Sequence, residues 1–521
     1  MARSPLLSHL RSMALRFESC RANGLPLEAA LERRTRISRR HLLQGTAATI
    51  GLAALSARGR AASGGQASVA VVGAGLAGLV AARTLADRGV NPTIFEASTR
   101  AGGRVTTDFT TFAASAQRVE RGGELIDTGH RKLRKLVRKL GLSVDDLLAS
   151  EPAGTQALGI FGGQIYTFAQ AEQDFAALYP ALHQDVVHAP FPTLYNSYTS
   201  SGYALDQLSI DQWIALRVPG GLQSRLGQLL SVAYDIEYGA PASQQSSLNL
   251  IYLLGYGSTP NNFALFGESD ERFRVRGGNE QVTQLLAQPF LNQLQLGHQL
   301  TAIRTLPNGR QRLTFSTAGG THEQLFDHVI LTVPFAVLRS SVDLSQANLQ
   351  PRKRVAIDNQ GMGTNAKLHV QFNDRFWHAL GCNGETFGDT GFQNTWEETR
   401  AQSGTRGILN NFLGSLGTGL AGLTPQAAAL RFLGQVEPVL PGATSRYAGV
   451  ASIDYWPGSP WQRGSYSYWK VGQYTSFAGV EREAEGTLHF AGEHTSVDFQ
   501  GYMEGAVESG ERAADEVLDA I

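Results

Sequence analysis

Three glycines at Gly73, Gly75 and Gly78, followed by the acid Glu96, constrain the fold of this chain more than any other feature. They follow the apolar run VAVV, which is typical of a buried parallel strand, and they precede a segment with helical character. In a Gly-x-Gly-x-x-Gly turn the first glycine allows the tight turn, the second lets a pyrophosphate approach the backbone, and the third lets helix and strand pack closely. A second strand then brings Glu96 to the distance at which a carboxylate binds ribose hydroxyls. Glycines alone would also fit an ordinary turn, but strand, helix, strand and acid in this order predict dinucleotide binding.

The overall composition indicates a globular chain with no preference for polyanions. With 521 residues the chain is too long for one hydrophobic core, so the sequence predicts two domains. Lys plus Arg and Asp plus Glu number 45 each, so no global field favours nucleic acid or an acidic membrane. Only Cys20 and Cys382 are present, which excludes a disulfide framework and a cysteine metal site.

The first 62 residues resemble a targeting segment. The stretch SRRHLLQG places Arg39 and Arg40 before a short apolar run, which is the pattern of a twin-arginine export signal. The run is too short for a comfortable membrane span. The part before the arginines is unusually long and the cleavage site is not clean, so a basic tail or a membrane anchor stays an alternative. The signal predicts a periplasmic or secreted protein that uses the twin-arginine export machinery as a partner.

The rest of the chain alternates between strands, glycine turns and helices. FRVRGGNEQVTQLL predicts a strand, a turn and a helix that return to the nucleotide-binding unit, and Asn308-Gly309 predicts a hairpin. AKLHVQF alternates like a strand in a half-exposed sheet. Residues 151–270 are aromatic-rich and irregular, as in an inserted substrate-covering domain. The basic helix predicted at 129–142 has an apolar stripe, so its lysines and arginines are better explained by a solvated face than by nucleic-acid binding.

Several motifs together resemble the flavin-dependent amine oxidase family, which includes monoamine oxidases, polyamine oxidases and L-amino-acid oxidases. They are the glycine fingerprint with EASTRAGGR, the GGNEQV return, MGTNAKLHVQF, RGSYSYW and FAGEH with GYMEGAVESGERAA. The resemblance covers nearly all of 68–521. It implies FAD as the dinucleotide and an α/β fold of two domains: a Rossmann-type FAD-binding domain and an interleaved substrate domain on a mixed sheet of six to seven strands.

The resemblance also sets the expected domain boundaries, because both domains are discontinuous in sequence. Residues 1–62 form the signal region. The FAD-binding domain is expected at 63–150, 271–333 and 480–521, and the substrate domain at 151–270 and 334–479.

Three residues take the catalytic positions of the family. Lys367 stands where the family places a lysine that holds a water near flavin N5, and such a cation stabilises the charge that develops as oxygen is reduced. From the alternating strand alone, a surface lysine would be the better interpretation. Tyr466 and Tyr502 match the aromatic pair that walls a narrow amine slot, with core aromatics as the alternative. Trp469 and Phe499 are expected to complete the walls of the substrate pocket.

Ser465 matches the position at which monoamine oxidases carry the cysteine that is bonded to the flavin. A serine cannot form that thioether, so the FAD is expected to be held non-covalently. The expected cofactor-binding residues come from the fingerprint, the second glycine pair and the C-terminal motif. They are Gly73, Ala74, Gly75, Gly78, Glu96, Ala97, Arg104, Gly122, Gly123, Glu124, Gly492, Glu493, Tyr502 and Met503.

Leu125 bears on the choice between amines and amino acids. Many L-amino-acid oxidases of the family carry an arginine at this position, which pairs with the substrate carboxylate. The apolar Leu125 offers no such partner, although Arg118 or Arg121 could replace it from another direction. Glu124 beside it either attracts a substrate ammonium or satisfies backbone donors. The histidines at 298, 489 and 494 lack ligand spacing, so structural roles are expected and no metal is predicted.

The sequence therefore favours an FAD-dependent oxidase of primary or secondary amines that uses oxygen and releases hydrogen peroxide. The first alternative is an L-amino-acid oxidase. A flavin desaturase or isomerase acting on a lipid or isoprenoid, and a non-catalytic FAD-fold binding protein, are further alternatives. A homodimer is a possible assembly.

Overall fold

A computed structural model describes residues 67–521, so the expected signal region lies outside the described residues. The strands of this part of the chain are β1 (Val69–Val72), β2 (Thr93–Phe95), β3 (Thr107–Asp108), β4 (Val119–Glu120), β5 (Val144–Asp146), β6 (Gln156–Phe161), β7 (Gln164–Thr167), β8 (Phe273–Val275), β9 (Leu294–Gln295), β10 (Gln299–Thr305), β11 (Gln311–Thr317), β12 (Gly320–Phe326), β13 (His328–Leu331), β14 (Asp343–Gln346), β15 (Gly361–Met362), β16 (Ala366–Phe372), β17 (Cys382–Gly388), β18 (Asn394–Glu397), β19 (Gly407–Leu413), β20 (Tyr447–Tyr455), β21 (Ser467–Tyr468) and β22 (Leu488–Phe490).

The α-helices of the same part are α1 (Leu76–Ala86), α2 (Arg131–Lys139), α3 (Phe168–His188), α4 (Ser200–Asp206), α5 (Ile210–Arg217), α6 (Arg225–Tyr238), α7 (Ser247–Gly257), α8 (Glu280–Ala287), α9 (Phe335–Ser341), α10 (Pro351–Asn359), α11 (Pro425–Val436), α12 (Ala443–Arg446), α13 (Gln473–Phe477) and α14 (Met503–Ala520). Within residues 67–521, none of the helices is long and apolar enough to cross a membrane.

Strand β1, which leads into the glycine fingerprint, is the central strand of a five-stranded parallel sheet. The strand order is β22-β13-β1-β2-β9, and Val71 of β1 lies between Ile330 and Ile94 of its neighbours. The whole of β1 is buried, as its unbroken apolar sequence predicts for a parallel sheet covered on both faces. The α/β fold with a Rossmann-type unit is therefore confirmed.

A second, seven-stranded mixed sheet has the order β20-β16-β19-β18-β17-β6-β7. Its strands come from two separate stretches, 156–167 and 366–455, and only the β17–β6 pair is parallel. The segment 151–270, which reads as irregular in sequence, contains β6 and β7 followed by the helices α3 to α7. The domain boundaries themselves stay a prediction.

Helix α1 begins at Leu76, directly after Gly75. Strand β8 pairs with β5, and its Phe273 and Val275 belong to the same buried cluster as Val69 and Val71 of β1. One local expectation needs correction. Strand β16 is buried on both faces, and not on one, because its polar side chains face other polar groups inside the protein. The hairpin at Asn308-Gly309 is confirmed as the β10–β11 pair.

Candidate active site

The glycine fingerprint and the expected catalytic residues line one cavity of about 540 Å³. Its walls come from both sheets and from the loops before α14. The expected site residues that line it are Gly73, Gly75, Glu96, Ala97, Arg104, Gly122, Gly123, Glu124, Leu125, Lys367, Tyr466, Gly492, Glu493, Tyr502 and Met503. The structure thus brings together residues that lie more than 400 positions apart in the chain.

Four expected residues are not among those that line the cavity within the described chain: Ala74, Gly78, Trp469 and Phe499. Trp469 and Phe499, which were expected as pocket walls, thus lie outside the cavity lining of the described chain. The Trp469 ring packs in the core, 5.2 Å from the ring of Tyr474. The Phe499 ring packs on the edge of the His130 ring at 5.8 Å.

The three glycines of the fingerprint have distinct steric surroundings. Gly73 has a φ of +106°, which a residue with a Cβ rarely adopts. A Cβ at Gly78 would lie 1.9 Å from the carbonyl oxygen of Gly73, so the close packing of α1 requires a glycine there. A Cβ at Gly75 would meet no atom within 4 Å and would project into open space at the cavity. The turn therefore leaves room for a ligand against the backbone.

The Glu96 carboxylate is held by two backbone N–H groups. Its Oε2 accepts a hydrogen bond from the Ala74 N–H at 2.9 Å, and its Oε1 accepts one from the Ser98 N–H at 2.9 Å. Each carboxylate oxygen retains a further acceptor position. Since Glu96 also lines the cavity, it is placed to accept from hydroxyl groups of a ligand.

Lys367 is buried in an ion-pair network at the cavity. Its Nζ donates to Glu124 Oε2 at 2.7 Å and to the Glu120 carbonyl at 2.9 Å. Burial lowers the pKa of Lys367, but the negative charges of Glu124, Glu398 and Glu120 and the hydrogen bond to Glu124 together outweigh burial and raise that pKa. Glu124 accepts from the side chains of Lys367, Arg274 and Trp396, whereas attraction of a substrate ammonium by Glu124 stays a prediction.

Arg274 and Glu398 complete the same network. Arg274 Nη1 lies 3.4 Å from an oxygen of Glu124 and 3.4 Å from one of Glu398. Burial favours the neutral form of Glu124, yet Lys367 and Arg274 lower its pKa to about 2. The pKa of Glu398, by contrast, is raised well above its usual value by burial and by the charge of Glu124. Lys367 and Glu124 therefore stay charged across the neutral range.

The hydroxyl groups of both expected cage tyrosines meet at Glu237. Tyr466 Oη donates to the Glu237 carbonyl at 2.6 Å, and Tyr502 Oη donates to Glu237 Oε1 at 3.2 Å. A Cβ on Gly501, the residue before Tyr502, would lie 3.5 Å from the Tyr466 ring. The two phenols are thus anchored at the same residue and lie at the same part of the cavity.

Glu493 fastens the loops that carry these tyrosines. Its Oε2 accepts from Ser467 Oγ at 2.8 Å and from the Gly501 N–H at 3.0 Å, so it bridges the residues next to Tyr466 and Tyr502. Its Oε1 accepts from Arg104 at 2.9 Å. Burial raises the pKa of Glu493, but the Arg104 charge together with the hydrogen bonds from Arg104 and Ser467 and the influence of His494 outweighs burial and lowers that pKa. The carboxylate expected to touch the cofactor is in large part a clamp for the loops.

The cavity lining also includes residues that carry no motif in the sequence, among them Glu237, Glu271, Glu385, Trp396, Arg400 and Gln500. No spacing in the sequence singles these residues out. Leu125 lines the cavity as expected, whereas Arg118 and Arg121 are not among the lining residues of the described chain. Arg121 instead pairs with Asp454 at 2.5 Å.

The three histidines noted in the sequence lie apart. His298 lines the cavity, with its Nδ1 2.8 Å from the Leu296 carbonyl oxygen. His489 contacts Glu516 at 3.0 Å, and the His494 ring packs against Phe335 at 4.7 Å. Within residues 67–521 no group of three or more His, Cys, Asp or Glu side chains is arranged to hold a metal ion.

The cavity has the groups that a flavin dinucleotide requires. The helices α1 and α14 begin at Leu76 and Met503, both of which line the cavity, and neither helix has a side-chain N-cap. Their free N–H groups and positive dipole ends suit phosphate oxygens and ring carbonyls. In addition, Nε2 of the buried Gln500 has no hydrogen-bond partner in the described chain. Together with Gly75 and Glu96, these groups fit FAD.

Comparison with known proteins also indicates a flavin-binding protein. A model of the family described as flavin containing amine oxidoreductase matches residues 76–518. A flavin-containing amine oxidase of Danio rerio is 24% identical over 483 residues, covering 87% of this chain and 86% of that protein. An L-amino acid dehydrogenase of Synechocystis sp. is 24% identical over 472 residues, covering 87% of this chain and 94% of that protein. The structure of wild-type putrescine oxidase bound to putrescine superposes with a TM-score of 0.71 at 22% identity, covering 87% of this chain and 99% of that one.

Proposed function

Because the chain belongs to the family of flavin-containing amine oxidoreductases, we propose that it oxidises primary or secondary amines, with FAD as its cofactor. Bound FAD would supply the electron sink: it would accept a hydride from the α-carbon of the amine, and oxygen would then take two electrons and two protons to give hydrogen peroxide. The amine, having also lost its N–H proton, would become an imine, which water hydrolyses to an aldehyde and ammonia, or to an aldehyde and a smaller amine where the substrate is a secondary amine. The observation that carries the proposal is that Lys367, Tyr466 and Tyr502 line one cavity with the glycine turn.

The tyrosines support the binding step. Since the hydroxyl groups of Tyr466 and Tyr502 are both fixed on Glu237, the two rings are held in place before a substrate enters. Rings fixed in this way orient an amine and exclude water from its α C–H bond at little entropic cost.

Lys367 supports the second half of the reaction, in which oxygen is reduced. An ammonium group has three N–H bonds, and Glu124 and Glu120 take two of them. The third is left to hold a water molecule, which is the role that the family resemblance implies. A fixed positive charge at this place stabilises the negative charge that develops as oxygen is reduced.

A second candidate, oxidation of an L-amino acid, is favoured by Arg400. This guanidinium lines the cavity and donates to Glu151 at 2.6 Å and to the Asn383 carbonyl at 3.1 Å, while its buried Nε has no partner in the described chain. A substrate carboxylate is a suitable acceptor for it. Leu125, which also lines the cavity, favours amines, because its apolar side chain gives a carboxylate no partner.

Anaerobic stopped-flow spectroscopy of the FAD-loaded protein tests both candidates. The protein is mixed with mono-, di- and polyamines and with L-amino acids, and the oxidised flavin absorbance is followed. We expect amines to bleach the flavin. Bleaching by amino acids and by no amine would establish the second candidate, and no bleaching by either class would reject the function.

We further propose that the protein is exported by the twin-arginine machinery to the periplasm or beyond, on the sequence around Arg39 and Arg40. Cell fractionation of the full chain and of an Arg39→Lys/Arg40→Lys variant tests this. Export of both proteins in equal amounts would reject the proposal.

A further inference from the structure

Lys367 belongs to a buried network of ionisable side chains, together with Glu120, Glu124, Arg274 and Glu398. Glu124 lies 2.7 Å from the Lys367 ammonium and 3.4 Å from Arg274 Nη1, and Glu398 lies 3.4 Å from the same Nη1. Burial raises the pKa of Glu120 to about 7, and the charges of Arg274 and Glu124 also act on it. Each of these side chains is at most 6% exposed. The network therefore sets three carboxyls against two cations, away from bulk water.

Two of the carboxyls, those of Glu124 and Glu398, contact each other. The indole nitrogen of Trp396 lies 3.2 Å from Glu124 Oε1 and 3.3 Å from Glu398 Oε2. Burial raises the pKa of Glu398 well above its usual value, and the charge of Glu124 and a hydrogen bond with Glu124 add to this rise. Since carboxylates only accept hydrogen bonds, such a bond requires a proton on one of the two groups.

The neighbours of the pair determine which carboxyl holds the proton. Burial raises the pKa of Glu124, but the charge of Lys367, the hydrogen bond with Glu398 and the charge of Arg274 outweigh burial and lower that pKa to about 2. Glu398 is completely buried, and its Oε1 accepts from the Glu120 backbone N–H at 2.7 Å and faces Arg274. Glu124 is therefore the carboxylate, and Glu398 Oε2 is the oxygen placed to carry the proton.

Glu124 in turn fixes the Lys367 ammonium at the cavity. Lys367 Nζ donates to Glu124 Oε2 and to the Glu120 carbonyl, and it lies 5.4 Å from the centre of the Trp396 ring. Lys367, Glu124 and Trp396 line the cavity, whereas Glu398 is not among the lining residues of the described chain. A donor on Glu398 thus holds Glu124 from outside the cavity, and Glu124 holds Lys367.

We propose that Glu398 is an uncharged acid that donates its O–H to Glu124, and that it acts through Glu124 as a positioning residue for Lys367. The inference rests on the proposed function, because that function assigns the fixed charge of Lys367 to the reduction of oxygen. An ionised Glu398 would place a second negative charge beside Glu124 and offset the positive charge that Lys367 presents to the cavity. A neutral Glu398 holds Glu124 without this cost.

Reoxidation by oxygen tests the positioning role in FAD-loaded protein that is first reduced with stoichiometric dithionite, so that no amine is needed. Glu398→Leu removes the donor and is expected to slow reoxidation by about tenfold or more, the effect of a lost hydrogen bond to a charged group. Glu398→Gln has an N–H donor and no charge, so it is expected to restore the rate to within about threefold of wild type.

Glu124→Gln is the matched comparison, since it makes the same isosteric change in the other carboxyl of the pair. It removes the charge that opposes the burial of Lys367, and we expect reoxidation to slow by more than about tenfold. Equal losses in Glu398→Gln and Glu124→Gln would show that Glu398 acts as a charged group and would overturn the inference. Reoxidation of Glu398→Leu at the wild-type rate would overturn it as well.

Infrared spectroscopy tests the proton itself, without turnover. At neutral pH, the difference spectrum between wild type and Glu398→Gln is expected to contain the C=O stretching band of a protonated carboxyl, which shifts in D2O. Glu397→Gln is the control and should show carboxylate bands, because the hydrogen bond with His378 and the charge of Arg375 outweigh burial and lower the pKa of Glu397. Carboxylate bands for Glu398 would overturn the inference. If neither amines nor amino acids bleach the flavin, the proposed function fails, whereas the infrared result still decides the state of Glu398.

Discussion

Replacing Lys367 by methionine separates the two half-reactions. Methionine keeps most of the volume of the lysine side chain and removes its charge. The Nζ of Lys367 lies 2.7 Å from Glu124 in a buried site, so the variant loses a preorganised positive group and leaves a buried carboxylate with only Arg274, at 3.4 Å, as its cation.

The size of the effect follows from these contacts. Removing one preorganised group that stabilises developing charge slows a reaction by about 10²- to 10³-fold, or roughly 3–4 kcal/mol. We expect this loss in reoxidation by oxygen, because negative charge develops there, and a change below about tenfold in flavin reduction by the amine. Unpairing Glu124 is expected to lower the free energy of unfolding by about 3 kcal/mol, the lower end for a broken buried ion pair.

The assay uses stopped-flow absorbance in two stages. Enzyme is first reduced anaerobically by the amine, and the reduced enzyme is then mixed with oxygenated buffer. Lys353→Met is the matched control: Lys353 is also buried, but its Nζ donates to the carbonyls of Glu481 and Glu483, away from the cavity. It should lower stability without changing either half-reaction.

A double variant distinguishes a loss of the Lys367 charge from a loss of stability. Lys367→Met combined with Glu124→Gln removes the unpaired charge and should recover stability while reoxidation stays slow. Equal slowing of both half-reactions, or reoxidation at the wild-type rate, would refute the role assigned to Lys367.

Two more outcomes are expected. Acid precipitation should release all FAD into the supernatant, since Ser465 cannot form a thioether, and flavin that stays with the pellet would show a covalent bond. Glu96→Ala should lower FAD affinity by about tenfold or more in a fluorescence titration of the apoprotein, and unchanged affinity would exclude ribose binding by Glu96.

The sequence predicts the dinucleotide unit well because its determinants are neighbours in the chain. The apolar strand β1, the turn at Gly73 and the acid Glu96 act within one short segment, where sterics and hydrogen bonding allow few alternatives. The placement of Lys367 and the tyrosines in one cavity, by contrast, depends on the family resemblance, since nothing local in their segments joins them.

The acids of the substrate pocket illustrate what sequence reasoning cannot supply. Glu237 ends helix α6, Glu271 precedes β8 and Glu385 lies on β17, so only the tertiary fold brings them to one cavity. The position of Trp469 and Phe499 outside the cavity lining has a related cause: a motif locates a loop, but it does not tell which of its side chains face the cavity and which face the core. The alternation of β16 likewise reveals two faces without telling that both are buried.

A crystal structure of the FAD-loaded protein with a bound amine tests the central claim most directly. We expect flavin N5 to face a water molecule held by Lys367, and the amine to lie between the rings of Tyr466 and Tyr502. An isoalloxazine ring bound elsewhere, or a Lys367 with no solvent molecule between it and the flavin, would contradict the account.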